Sequence, residues 1–164
     1  MKHTSLCYIE KNGAYLLLHR IKKERDENRD KWIGVGVHFL ENESPEDCVC
    51  REALEETGLR LIAPRYCGII TFVSDRWEGE YMHLFHAERF TGRLRDCDEG
   101  VLEWVPKEKV RALPQWAGDR LFLDLMERRV PFFSLKLRYQ GEALREAVLN
   151  GASLPLPEAL GPLG

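Results

Sequence analysis

The sequence predicts an α+β domain, a mixed sheet with few helices, and three observations lead there. A single helix is punctuated at both ends, by Ser44-Pro45 and by Gly58. Short apolar stretches separated by turn residues recur on both sides of it. No internal repeat and no second hydrophobic unit breaks the order. At 164 residues the chain suits one domain, expected over residues 1–150, with 151–164 as a frayed, disordered tail of Gly, Ala, Pro and Leu.

Taken in order, Leu6 to Ile9 and Ala14 to His19 flank Lys11-Asn12-Gly13, and Asn-Gly favours a tight turn with positive φ, hence a β-hairpin. Lys22 to Lys31 is almost wholly polar and reads as a solvated loop. Trp32 to Val37 is apolar and punctuated by glycines. The helix runs from about Pro45 to Thr57, with Ser44 as N-cap, proline in its first turn, Glu46 and Asp47 where the helix dipole favours acids, and Gly58 closing it. Cys50, Ala53, Leu54 and Thr57 follow helical spacing and should face the core. Two long β-rich stretches follow, about Tyr66 to Ser74 and Glu78 to Arg89. Val101 to Val105 is a shorter strand, with a helical turn through Val110. Asp119 to Arg128 has helical spacing, and Pro131 to Tyr139 with Ala143 to Leu149 form a closing strand pair around Gln140-Gly141.

Composition narrows the partners. A net charge of −3 argues against a nucleic-acid polymer or an anionic membrane, both of which select basic faces. No apolar run approaches the roughly 18 residues of a membrane span. Met1-Lys2-His3-Thr4 moves straight into a strand pattern without a signal-peptide core, so the expected address is cytoplasmic. Five scattered cysteines without a Cys-x-x-Cys pair indicate neither a disulfide framework nor a zinc knuckle, and Cys48 and Cys50 read as packing side chains.

The chemistry concentrates in the helix. At about 100° per residue, Glu52 and Glu56 stand about 40° apart around the axis and Glu55 about 60° from Glu52. Three carboxylates on one flank repel one another unless a cation sits among them, and hard oxygen donors suit Mg²⁺, with Mn²⁺ as a substitute. The plainer alternative is an exposed acidic face with Arg51 paired to Glu55 at i,i+4.

The whole string decides between them. Gly36, Glu43 and then Arg51-Glu52-Ala53-Leu54-Glu55-Glu56-Thr57-Gly58-Leu59 resemble the signature box of the Nudix hydrolases. The resemblance extends over roughly Ser5 to Asn150. Leu17 to Arg20 resembles the strand entering the family's substrate cleft, and Trp116 through Tyr139 resembles the C-terminal helix and strand of MutT-like oxidised-purine nucleoside triphosphate diphosphatases. It implies the Nudix fold, a mixed sheet packed between helices as an α/β/α sandwich. It also implies metal ligation by Glu52, Glu55, Glu56 and the carbonyl of Gly36, with Glu99 as a further ligand or base, and Glu43 paired with Arg51. The implied reaction is attack of a metal-activated water on a diphosphate linkage, turning a nucleoside triphosphate into monophosphate and pyrophosphate.

For substrate binding, the resemblance points to an aromatic wall of Phe72 and Trp116, with Asp119 as an acidic group against the base. Ile33 lines that pocket, His38 stands where a basic loop residue contacts phosphate, and Lys22 is a further substrate-binding candidate. The plainer alternative for Phe72 and Trp116 is ordinary core packing, and packing is the expected role of His19, His83 and His86. The sequence departs from the family at Val37, where a glycine is usual, at Leu40, where a polar residue is usual, and at Gly118, where a second aspartate can stand. An aliphatic Ile33 cannot pair with a base edge, which weakens strict selection for 8-oxoguanine. The best single substrate is 8-oxo-dGTP or a related oxidised purine nucleotide. ADP-ribose, a nucleotide sugar or a dinucleoside polyphosphate is the alternative, as is a weakly catalytic nucleotide-binding module. A monomer or weak homodimer is expected.

Overall fold

The computed structural model describes residues 1–21 and 27–156 of the chain. Strand β1 (Lys2–Lys11) and strand β2 (Ala14–His19) pair antiparallel. Asn12 and Gly13 have φ of 50° and 76°, the backbone sense that a two-residue hairpin needs to follow strand twist. Strand β3 (Trp32–Ile33) adds to β2. Helix α1 (Pro45–Thr57) and strand β4 (Leu59–Leu61) follow, then strands β5 (Arg65–Ser74), β6 (Glu80–Ala87), β7 (Phe90–Gly92) and β8 (Val101–Pro106). Helices α2 (Lys107–Val110) and α3 (Asp119–Glu127) precede strands β9 (Phe133–Gln140), β10 (Ala143–Leu149) and β11 (Ala152–Leu154).

Among the described residues, nine strands make a mixed sheet in the order β11-β10-β9-β5-β6-β1-β2-β3, with β8 also on β2, while β4 and β7 pair separately. The β1–β6 and β5–β9 pairings are parallel, and the rest of the large sheet is antiparallel. Strand alternation then sorts side chains to two faces. Leu6, Tyr8, Tyr15, Leu17, Ile70 and Phe72 join Phe122 and Met126 of α3 in one core. Cys7, Ile9, Leu16 and Phe85 join Val49 and Ala53 of α1 in the other. Helices cover both faces, as the expected α/β/α sandwich requires.

Three expectations are corrected. The buried stripe of α1 is Cys48, Val49, Glu52, Ala53 and Thr57, whereas Cys50 and Leu54 are only partly buried. Counting apolar letters placed the stripe wrongly because a glutamate, Glu52, occupies its centre. The frayed tail fails for Ala152–Leu154, which pairs with β10. Asn150-Gly151 takes φ of 50° and 85°, the same Asn-Gly turn as at Asn12-Gly13, and Leu154 and Leu156 pack on the core. Residues 157–164 lie outside the described part. The polar stretch before Trp32 is not solvated to its end either, since Lys31 is buried. No described helix is long and apolar enough to cross a membrane.

Candidate active site

Helix α1 is held at both ends. The Asp47 amide donates to Ser44 Oγ and the Ser44 amide to Asp47 Oδ2, each at 3.0 Å, a reciprocal capping box. Gly58 closes the helix in the left-handed conformation. On this fixed helix Arg51 is the hub of the carboxylates. Its Nε donates to Glu43 Oε2 at 2.6 Å and its Nη2 to Glu43 Oε1 at 2.9 Å, a two-pronged pair. Its Nη1 donates to Glu52 Oε2 and to Glu55 Oε2, both at 3.1 Å. The expected Glu43–Arg51 pair and the alternative Arg51–Glu55 pair are therefore both present. The guanidinium holds the Glu43 carboxyl below the usual carboxylate range.

Glu52 is only 2% exposed. Burial first, and the Glu56 carboxyl hydrogen-bonded to it second, push its pKa well above the carboxylate range, with Arg51 opposing. Glu56 Oε2 also accepts from Cys97 Sγ at 2.7 Å. Crowded carboxyls that favour a shared proton are what a divalent cation would relieve, and their hard oxygens suit such an ion.

The other predicted residues meet in one cavity of about 260 Å³, lined by Gly36, His38 and Glu99 as well as Ile33, Phe72, Trp116 and Asp119. Several links tie the carboxylate helix to it. Arg51 Nη2 donates to the His38 carbonyl at 3.2 Å, and Cys48 Sγ lies 3.7 Å from the Val37 carbonyl. Cys97, bonded to Glu56, is two residues before Glu99, whose carboxylate takes Arg20 Nη1 at 2.8 Å. Gly36 is demanded by close approach, since a Cβ there would come 2.0 Å from the Ser5 carbonyl oxygen. Glu43, Arg51, Glu52, Glu55 and Glu56 do not line the cavity, and Lys22 lies outside the described residues.

Within the cavity lining Phe72 and Trp116 meet edge to face with ring centroids 5.3 Å apart, and the Tyr139 ring centroid lies 4.8 Å from that of Trp116. Phe72 and Trp116 belong to the core and also line the cavity. Trp116 Nε1 donates to Asn28 Oδ1 at 2.8 Å, and Lys31 Nζ sits 4.6 Å above the Trp116 ring while bonding Glu142 Oε1 at 2.8 Å. Burial raises the Asp119 pKa to about 8, and the Lys31 ammonium pulls against it. Sequence reasoning missed Asn28, Lys31 and Cys97. The first two lie in or at the end of a polar run that looks solvated, and Cys97 is a lone cysteine whose partner is 41 residues away.

The departures from the family pattern fit locally. Val37 has no positive φ, and its carbonyl accepts from the Ser5 amide at 2.9 Å. Leu40 is 57% exposed and contributes its amide to Glu43 at 2.7 Å. At Gly118 a Cβ would come 2.6 Å from a Leu137 methyl and 2.7 Å from the Tyr139 hydroxyl, so a second aspartate would require those two side-chain ends to shift.

A different acidic group, Glu10, His86 and Glu88, brings its potential ligand atoms within 4.8 Å of one another. Lys107 Nζ lies 2.8 Å from Glu10 and Arg129 Nη2 lies 2.7 Å from Glu88, so this cluster already has its cations. His83 bonds His3 at 3.0 Å and the Tyr66 hydroxyl, and His19 stacks on Trp32 with centroids 4.3 Å apart.

Residues 2–126 match the family described as NUDIX domain. The chain belongs to the Nudix hydrolases. It is 30% identical over 131 residues to the Nudix hydrolase YvcI of Bacillus subtilis, covering 77% of this chain and 79% of that protein. Over 121 residues it is 31% identical to an oxidized purine nucleoside triphosphate hydrolase of Danio rerio, 73% of this chain and 76% of the relative. The crystal structure of a mutator MutT protein from Bacillus halodurans superposes with a TM-score of 0.80 at 25% identity, over 92% of this chain and 98% of that one. This Nudix chain is thus a MutT-like hydrolase of phosphoric anhydrides acting on nucleotide substrates. The α1 string identified in the sequence falls within the matched region.

Proposed function

We propose that this Nudix hydrolase cleaves an oxidised purine nucleoside triphosphate, with 8-oxo-dGTP as the leading candidate, to the monophosphate and pyrophosphate. The observation that carries this reading is a single cavity lined both by groups suited to a metal and phosphate and by an aromatic pair with a buried carboxyl. Gly36, His38 and Glu99 form the first set, and Phe72, Trp116 and Asp119 the second.

Glu52, Glu55 and Glu56, joined by the Gly36 carbonyl and Glu99, would hold Mg²⁺, or Mn²⁺ in its place. A bound divalent ion supplies offset for phosphate charge and a lowered pKa for bound water. The protein's own part is orientation. Arg51 fixes Glu43, Glu52 and Glu55 and braces the His38 carbonyl, so the carboxylates and the phosphate loop keep one geometry. Phe72 and Trp116 offer a wall for the base, and Asp119 offers a hydrogen-bonding partner beside it. Water attacks the anhydride between the α- and β-phosphoryl groups, and the monophosphate and pyrophosphate separate. The substrate stays within the small-molecule nucleotide class, in a cytoplasmic protein acting as a monomer or weak dimer.

The test is pyrophosphate release with Mg²⁺ across 8-oxo-dGTP, dGTP, the other triphosphates and ADP-ribose. Preference for 8-oxo-dGTP, with monophosphate and pyrophosphate as products, is the expected outcome. Faster turnover of ADP-ribose would move the chain to another substrate class. No turnover of any of these by folded protein that binds Mg²⁺ would favour a binding module.

A further inference from the structure

The cavity holds a second buried carboxyl that the roles above do not use. Glu80 opens β6, faces Phe72 across the antiparallel β5–β6 pair and Lys2 across the parallel β1–β6 pair. Directly opposed residues on antiparallel strands share a face with Cβ atoms roughly 4.5–5.5 Å apart. Glu80 therefore stands beside Phe72 and lines the same cavity as Phe72, Trp116 and Asp119, although it is only 9% exposed.

Its own partners leave capacity for a ligand. Thr4 supplies a side-chain hydrogen bond, and Lys2 attracts it, but the Lys2 ammonium is bonded to Glu27 at 3.3 Å. A carboxylate has about four acceptor sites. Burial first and the nearby Glu27 second raise Glu80 to about 7, with Glu78 adding and Lys2 and Thr4 opposing. A carboxyl this poorly compensated carries a desolvation cost that a hydrogen-bond donor on a ligand would offset.

We propose that Glu80 is a specificity-determining residue that accepts a hydrogen bond from the N7–H of an oxidised purine lying against Phe72 and Trp116. The inference rests on the oxidised-purine reading of this cavity. An 8-oxopurine has an N–H at ring position 7, where an ordinary purine has a lone pair. An acceptor at that edge rewards the first and meets the second lone pair to lone pair, which is how a buried polar group discriminates strongly. Asp119, which lines the same cavity, is left to another edge of the base. Discrimination would then come from a strand residue outside the C-terminal segment, and it would compensate for the aliphatic Ile33.

The experiment measures kcat/KM for 8-oxo-dGTP and dGTP at pH 8 with the full chain, Glu80→Met and Glu80→Gln, each checked for folding by thermal melting. The full chain prefers 8-oxo-dGTP. Glu80→Met cuts that preference about tenfold or more, through KM for 8-oxo-dGTP, while turnover of dGTP persists. Glu80→Gln keeps the volume and a neutral acceptor, so it cuts the preference about threefold and decides the matter should the Met variant fail to fold. An unchanged preference in the folded variants overturns the role of Glu80 and leaves the substrate reading standing. Absence of any preference in the full chain defeats the substrate reading and the role of Glu80 with it.

Discussion

The two faces of the sheet place chemistry in opposite ways. On the α1 face, the expected metal-binding carboxylates come from five consecutive residues of one helix, Glu52 to Glu56, clamped by Arg51 and by Glu43 a few residues upstream. On the α3 face, the cavity proposed to take the base is assembled from Tyr8 of β1, Ile33 of β3, Phe72 of β5, Asp119 of α3 and Leu137 of β9. The first arrangement is short-range and depends on helical periodicity and capping. The second depends on the sheet order that sets β5 between β6 and β9. The two arrangements lie in different cores, linked among the described residues by Cys48 to Ser5, by the Val37–His38 backbone and by the Cys97–Glu99 segment.

Variants that separate the faces sharpen this contrast. The largest effect is expected for Glu56→Gln, which should lower kcat about 10²–10⁴-fold with little change in melting temperature, measured by pyrophosphate release and calorimetry. A comparable loss of folding would mean that Glu56 serves structure. On the other face, Trp116→Ala should act mainly on KM, raising it roughly tenfold through lost stacking. A matching drop in kcat would show that the two faces are coupled.

Asp119 gives a smaller, pH-dependent effect. Its folded-state pKa is about 8 against an ordinary 3.8. Between those values the folded chain keeps a proton that the unfolded chain releases, so its contribution is whole at low pH and is lost as pH rises through about 8. In chelator, where the α1 carboxyls behave alike in both proteins, Asp119→Asn should gain about 4 °C or more over wild type between pH 5 and pH 9. An unchanged difference across that range would mean that Asp119 is ionised throughout. The smallest effect is expected for Val37→Gly. Because Val37 already sits without positive φ, kcat should change by less than about threefold. A large gain would show that the side chain obstructs the loop.

The same contrast explains what was legible in the sequence. Helix α1 was readable to the residue, because Ser44, Pro45, Asp47 and Gly58 state its ends and the carboxylates lie inside it. The Asn12-Gly13 hairpin was readable for the same local reason. The identical signal at Asn150-Gly151 was lost in a stretch that looked like a tail, and with it β11. The pocket was only partly visible. Phe72, Trp116 and Asp119 could be named by resemblance, but Lys31 looks like one more charge in a polar run until the fold carries it over the Trp116 ring. Glu80 likewise looks like one more polar residue at the start of the Glu78-to-Arg89 stretch, and only the pairing with Phe72 brings it to the cavity. The burial of Glu52 escaped the apolar pattern for a related reason, since periodicity counts hydrophobic side chains and a buried acid counts against its own position.

We propose that the α1 carboxylates, and not the Glu10–His86–Glu88 cluster, hold the divalent metal of this hydrolase. The most direct measurement is a Mg²⁺ titration of pyrophosphate release from 8-oxo-dGTP by wild type, Glu56→Gln and Glu10→Gln. Saturable activation of wild type and Glu10→Gln, with little turnover at any Mg²⁺ concentration for a folded Glu56→Gln, is the predicted result. Wild-type activation in Glu56→Gln, or its loss in a folded Glu10→Gln, would contradict the account.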